Sequence, residues 1–252
     1  MHAGRGAFVM PNPWDAGSAR VLAAQGFEAL ATTSAGHAWS RGLRDYGVTR
    51  DEALANARAI IAATDLPVSA DLEDCFGPEP DETIRMATAV GLVGGSIEDA
   101  QNGVILPLDV AVARLASAVT AVRALPYPFM LTARAENFLH GRADLADTIA
   151  RLQAYDAAGA DVLYAPGLPD LDAVRAVCAA VTRPVNVLAT NPDWTVADLR
   201  AAGVRRISVG GALARVALGA LDRAAAQLRA GGFGYLRDGL PGPRVSELMQ
   251  AR

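Results

Sequence analysis

The sequence contains no lysine. All 23 of its basic residues are arginine, and this absence removes whole classes of chemistry. A Schiff-base aldolase, a pyridoxal-phosphate enzyme and a Walker-type phosphate loop each need a lysine. Cysteine is scarce too. Cys75 and Cys178 are the only two, too few for a disulfide framework and in keeping with a reducing cytoplasm. No apolar run reaches the ~18 residues that span a bilayer. Met1 to Met10 lack the cationic-then-apolar order of a signal peptide. The net charge is −4 with no basic stripe, which disfavours nucleic acid. The expectation is a cytoplasmic protein with neither membrane nor nucleic acid as a partner.

What is present is apolar and regular. Hydrophobic residues make up 52% of the 252, enough for a large core. Short β-type runs fall at 7–10, 29–33, 68–71, 95–98, 130–134, 161–165, 185–188 and 206–210. Between them lie Ala-, Leu- and Arg-rich stretches with apolar residues at helical spacing, at 16–25, 49–63, 81–93, 108–124, 145–158, 171–181, 195–202 and 212–229. The segments "AAQGFEAL", "DAAGADVL" and "RAAGVRRI" repeat one design: helix end, glycine, short turn, strand. Asp170 and the Asn191-Pro192-Asp193 segment read as helix entries. Helix-to-strand returns of this kind imply parallel strands. Eight of each predict an α/β fold, a (β/α)8 barrel of the TIM type, forming one domain over 1–252 with 231–252 as a tail.

In such a barrel the chemistry sits at the carboxyl ends of the strands. The first strand delivers Asn12, Trp14 and Asp15, and the second Thr33, Ser34 and Gly36. "SADLEDCFG" supplies Asp71, Glu73 and Asp74; "GSIEDAQNG" supplies Glu98, Asp99 and Gln101. "LTARAENFLHG" adds Arg134, Glu136, Asn137 and His140, and later strands carry Tyr164, Asn186 and Gly210-Gly211. Carboxylates crowded at one rim repel each other, and a dication relieves that. Oxygen ligands with retained waters suit Mg²⁺. Asp71 and Glu73 are two apart, so a continuing strand would turn both to one side. An acidic residue after a strand caps the next helix just as readily, and Asp74 and Asp99 fit that plainer role. Ser34 reads as a donor to an anion or as a turn residue, His37 and His140 as an acid or base or as solvated loop residues, and Cys75 as packing rather than catalysis. Gly210-Gly211 reads as an anion cradle at a helix start or as a tight turn.

These residues, in this order, resemble the isocitrate lyase/phosphoenolpyruvate mutase superfamily, and in particular its short members. The resemblance runs from "PNPWDAGSARVLAAQGFEALATTSAG" to "GVRRISVGGALARVALGAL", with "ATTSAG", "SADLEDCFG", "SIED", "LTARAENFLHG" and "VNVL" as its most specific parts. It implies a barrel enzyme in which a small 2-oxo acid or related carboxylate chelates Mg²⁺, with Mn²⁺ as a substitute. Asp71 corresponds to the direct metal ligand, and Glu73, Glu98 and Asp45 to residues that hold its waters. Ser34 and the Ala35 N–H correspond to the segment that binds substrate carboxylate and carbonyl oxygen. Arg134 corresponds to an arginine on the substrate, and Asn12, Trp14, Asp15, Tyr164 and Asn186 to the rest of the pocket. The last helix is commonly exchanged between subunits in that superfamily, which implies a homodimer or homotetramer.

The departures are as informative. Lyases of that superfamily carry a mobile loop after "IED" with Lys-(Lys/Arg)-Cys-Gly-His, and its mutases a lysine- and asparagine-bearing loop. Here the chain reads "IEDAQNGVILPLDVA". Glu73 stands where several members have Asp, and Cys75 where Gly is usual. The implied reaction is cleavage of a C–C or C–P bond through an enolate. Oxaloacetate decarboxylation needs the fewest extra groups; protonation of the enolate is left to water, Tyr164 or His140. The alternative is a binding or regulatory barrel that keeps the metal pocket without the loop.

Overall fold

The computed structural model describes residues 1–2, 4 and 6–250. Eight parallel strands form one curled sheet: β1 (Phe8–Val9), β2 (Leu30–Ala31), β3 (Val68–Asp71), β4 (Gly94–Glu98), β7 (Met130–Arg134), β8 (Val162–Tyr164), β9 (Val185–Leu188) and β10 (Arg206–Ser208). Their spatial order is β1-β10-β9-β8-β7-β4-β3-β2. At the seam between β1 and β2 the Ala31 N–H donates to the Pro11 carbonyl at 3.1 Å. The Asn12 amide adds a bond to the Thr32 carbonyl at 3.1 Å. The expected TIM-type arrangement is therefore what the chain adopts.

Side chains alternate across the sheet, as strand geometry requires. Ile97, Leu131, Leu163, Val187 and Ile207 pack into the hydrophobic core. Burying each such side chain contributes ~1.5–3 kcal/mol. Their strand neighbours Ser96, Thr132, Tyr164, Asn186, Arg206 and Ser208 line an interior cavity instead. Register sets the polar row: Glu98 pairs with Arg134, Arg134 with Tyr164, Tyr164 with Asn186, and Asn186 with Arg206.

The helices are α1 (Ala16–Ala24), α2 (Ser34–Ser40), α3 (Arg50–Ala62), α4 (Pro80–Ala89), α5 (Leu108–Arg123), α6 (Leu145–Ala157), α7 (Leu171–Ala180), α8 (Val196–Ala201), α9 (Ala212–Arg229) and α10 (Gly242–Leu248). Asp15, Thr49 and Thr195 close capping boxes, and Asp170 caps α7. The expected helix entry at 191–193 lies too early: α8 starts after Thr195, whose hydroxyl and Asp198 satisfy each other's backbone donors. Among the described residues no helix is long and apolar enough to cross a membrane.

The connections after β2 and β4 exceed the sequence reading. The segment after β2 is a helix, α2, begun by Thr33, whose hydroxyl accepts from the Gly36 N–H. The segment after "IED" is a tight antiparallel hairpin, β5 (Ala100–Gln101) with β6 (Val104–Ile105). Its turn residues Asn102 and Gly103 have φ of 50° and 77°, as a type I′ turn demands.

Candidate active site

A cavity of about 170 Å³ opens at the carboxyl end of the barrel. Ser34, Ala35, Asp45, Tyr46, Asp71, Glu98, Arg134, Tyr164 and Asn186 all line it. Asp71 ends β3, Glu98 ends β4 and Arg134 ends β7, so adjacent strands bring the three together. Arg134 Nη1 lies 2.9 Å from Asp71 Oδ1 and 3.0 Å from Glu98 Oε1. Its Nε donates to Glu136 Oε1 at 2.6 Å, and its guanidinium lies 5.0 Å from the centre of the Tyr164 ring. Ser34 donates to Asp71 Oδ2 through its hydroxyl at 2.9 Å and its N–H at 3.3 Å. Ser34 begins α2, so this donor pair belongs to a helix N-terminus facing a carboxylate.

The acidic groups are held against their own charge. Burial, with Arg134 opposing it and Glu136 and Asp71 adding to it, keeps the Glu98 carboxyl well above the usual range. Burial and then Asp71 raise Asp45. Glu73 is pushed up to about 8 by burial, then by Asp71, Asp45 and Asp74. Glu73 does not continue the strand. β3 stops at Asp71, and a turn carries Glu73 at φ 50° with the Cys75 N–H on the Leu72 carbonyl. The same-side argument for Asp71 and Glu73 therefore fails, although Asp71 still raises the cost of ionising Glu73. Glu73 Oε1 is buried without a hydrogen-bond partner.

These features bear on a metal. An orphaned buried carboxylate oxygen beside raised carboxyls is the electrostatic setting a dication would relieve. Among the described residues no three His, Cys, Asp or Glu side chains converge as a ready ligand cage. A hard cation held by one carboxylate and by waters that the others orient needs no such cage, and the oxygen donors present suit Mg²⁺ in that manner.

Other residues fall elsewhere. Asp15 caps α1 through the Ser18 N–H at 2.7 Å. Trp14 lies in a groove with Trp39, Ala214 and Leu218 of α2 and α9. Neither is among the residues lining the main cavity. Asn12 is a clamp: its oxygen accepts from the Val209 and Gly210 N–H groups, each at 2.9 Å. That uses the Gly210 N–H, so it is not open to an anion. Asp99 faces away and anchors the Glu136 N–H, Arg151 and the Tyr155 hydroxyl. Asp74 stabilises its own turn and accepts from Gln101 Nε2 at 2.8 Å. Asn137 donates to Asp147. Cys75 is buried, and burial pushes its thiol up to about 12, as for a packing residue. His140 lies in a second cavity with Tyr46, Asp74 and Glu98.

Sequence reasoning missed Tyr46, whose hydroxyl donates to Glu98 Oε2 at 3.1 Å. It also missed Ser96, Thr132, Arg206 and Ser208, which line the cavity. For Ser96, Thr132 and Ser208 a signal existed: each is a polar residue at an alternate position of an otherwise apolar strand.

Residues 1–229 match the family model described as phosphoenolpyruvate phosphomutase. A solved structure from Burkholderia cenocepacia J2315, described as a lyase/mutase, superposes with a TM-score of 0.96 and is 54% identical, covering 99% of this chain and 93% of that one. Oxaloacetate acetylhydrolase in complex with the product oxalate superposes with a TM-score of 0.88 at 26% identity, covering 97% and 89%. The 2-methylisocitrate lyase of Halalkalibacterium halodurans is 28% identical over 229 residues, covering 85% of this chain and 75% of its own.

Proposed function

The chain belongs to the phosphoenolpyruvate phosphomutase family of lyases and mutases, and from that premise we propose that it is a Mg²⁺-dependent lyase. Its reaction cleaves a bond to C3 of a small 2-oxo acid, with decarboxylation of oxaloacetate as the simplest case. The observation that carries this reading is the meeting of Ser34, Asp71, Glu98 and Arg134 in one cavity. A relative of the same fold binds oxalate, which mimics the carboxylate–enolate end of such a substrate.

Asp71 would hold Mg²⁺ directly, with Glu73, Glu98 and Asp45 acting through waters. Bound Mg²⁺ supplies the Lewis acidity that draws charge toward the C2 oxygen. Arg134 and the Ser34–Ala35 segment offer fixed donors to the same charge. In oxaloacetate the C3–C4 bond breaks, its electron pair moves through C3 onto the C2 oxygen, and CO₂ departs. A proton then adds at C3 to give pyruvate. Burial pushes the Tyr164 phenol up to about 12, so near neutrality it is protonated and acts as a donor. The exchange of the last helix and a homodimeric or homotetrameric state form part of the same proposal.

The test is product analysis by NMR with Mg²⁺ or Mn²⁺ and a panel of oxaloacetate, phosphonopyruvate, methylisocitrate and alkylated malates. Turnover of one of them, lost in Asp71→Ala, is expected. Turnover that persists in Asp71→Ala would sink the metal assignment. One observation favours a second reading, a binding or regulatory barrel: a tight hairpin stands where lyases of the superfamily carry a catalytic loop. Tight oxalate binding with no turnover of any panel member would favour it.

A further inference from the structure

Among the described residues the buried arginines are Arg134, Arg151 and Arg206. Arg134 is answered by Asp71, Glu98 and Glu136, and Arg151 by Asp99 and Asp147. Arg206 is different. Its Nε donates to Asn186 Oδ1 at 2.9 Å and its Nη2 to Thr132 Oγ1 at 2.8 Å. Both acceptors are neutral, and none of the described ion pairs involves Arg206. A guanidinium buried without a counter-charge is costly, and proteins seldom keep one without a reason. Burial pushes its pKa down to about 10, so it still carries its charge at neutral pH.

Its position suggests the reason. Arg206 is the first residue of β10, at the end of the strand remote from the catalytic rim. It lines the same cavity as Asp71 and Arg134. The space of about 170 Å³ suits a small acid reaching inward from the rim. We infer that Arg206 is a specificity-determining residue: with the 2-oxo-acid end of the substrate at Asp71 and Arg134, it is Arg206 that reads the second acidic group, carboxylate or phosphonate. This rests on the lyase reading above and assigns the residue that selects for the distal acid of its substrate. Nothing in the sequence motifs points to Arg206, because "RRIS" looks like a strand beginning beside a solvated arginine.

The test is titration calorimetry with Mg²⁺ present. Oxalate probes the rim alone. Lactate, malate and 2-hydroxy-3-phosphonopropionate share one 2-hydroxy-acid end and differ only in the distal group. Wild-type protein should bind oxalate, and should bind malate or the phosphonate at least ~30-fold more tightly than lactate; whichever wins identifies the distal acid. Arg206→Gln should erase that preference while oxalate affinity stays within ~3-fold. Arg206→Lys, which keeps the charge, should retain part of it, and thermal melts verify that each variant is folded. Equal binding of all three hydroxy acids by wild-type protein overturns the inference even if no variant folds. So does a preference that survives in Arg206→Gln. Failure of wild-type protein to bind oxalate overturns the lyase reading and this inference with it, whereas oxalate binding without the preference overturns this inference alone.

Discussion

Arg134 Nη1 sits 2.9 Å from Asp71 Oδ1, so one guanidinium neutralises the carboxylate on which the metal proposal depends. The same nitrogen reaches Glu98, and Nε holds Glu136. Removing Arg134 leaves these buried acidic groups without their counter-charge. Arg134→Met should therefore lose ~3–5 kcal/mol of stability in metal-free protein. For a chain of this size that is a fall in melting temperature of roughly 6–20 °C. Turnover should fall by at least ~10²-fold, the scale seen when a charge-stabilising donor is lost. Added Mg²⁺ should raise the melting temperature of the variant more than that of the wild type. Unchanged melting in Arg134→Met would mean that the carboxylates are not charged against it.

The pH dependence of metal-free stability follows from the raised carboxyls. Glu73 is raised to about 8 from 4.5 in the folded chain, by burial first, and Asp45 and Glu98 are raised as well. Between the two values the folded state binds more protons than the unfolded one, so stability falls as pH rises. His2 opposes this lower down: burial lowers it from 6.5 to about 4, so its contribution grows with pH and is complete above about 6.5. The depressed carboxylates, such as Asp156 and Asp147, have made their contribution above the ordinary carboxylate range. The clean window is therefore about pH 6.5–8. There the metal-free melting temperature should decline, Glu73→Gln should flatten the decline, and saturating Mg²⁺ should reverse it. A melting temperature that rises across this window without metal would refute the assignment.

The barrel was legible because its helices and strands differ in period. β3, β7 and β9 fall where apolar alternation put them, and α9 begins and ends as expected. The carboxylates at strand ends were legible because topology alone delivers strand ends to one rim. Trp14 and Asp15 were harder. They follow β1 as Ser34 follows β2, and only tertiary packing decides that Asp15 closes a capping box while Ser34 faces Asp71. Arg206 was illegible in another sense. A strand-start arginine is ordinary in sequence, and its burial emerges only once β9 and β7 offer Asn186 and Thr132. The hairpin could have been found, since Asn-Gly between β-type residues is a hairpin signal with a mechanism.

That hairpin yields a prediction of its own. Asn102 and Gly103 both need positive φ, and Gln101 is spent on Asp74. Its polar side chains are thus turn and tether rather than acid or base. Gln101→Ala and Asn102→Gly should each keep kcat within ~3-fold, while Gly103→Val should destabilise by ~1 kcal/mol or more, because a branched residue resists the left-handed region. Steady-state kinetics and urea unfolding measure the two effects. A loss of kcat beyond ~10²-fold in Gln101→Ala would instead make the hairpin a chemical replacement for the superfamily's loop.

Of the eighteen residues of α9, Ala214 alone is buried. Val216 and Leu221 are each 66% exposed, and beyond the helix Phe233 and Leu236 are each 66% exposed as well. Apolar residues this open, on one amphipathic helix and the segment after it, are of the kind that marks an association surface. Trp14 and Trp39 already line a groove with Leu218 and Leu221, so a second copy's helix could seat against the same face. Exchange of this C-terminal part, α9 through α10, would cover both at once and give a closed, isologous dimer. Light scattering coupled to size-exclusion chromatography should give a mass of at least twice 26.1 kDa. Leu221→Arg combined with Val216→Asp should shift the chain toward monomer, because each places a charge in an apolar interface that cannot solvate it. The Mg²⁺-dependent binding of oxalate should survive in that monomer if the barrel alone builds the rim. A wild-type chain that elutes as a monomer at micromolar concentration would remove the exchanged helix from the proposal and leave the patch to another partner.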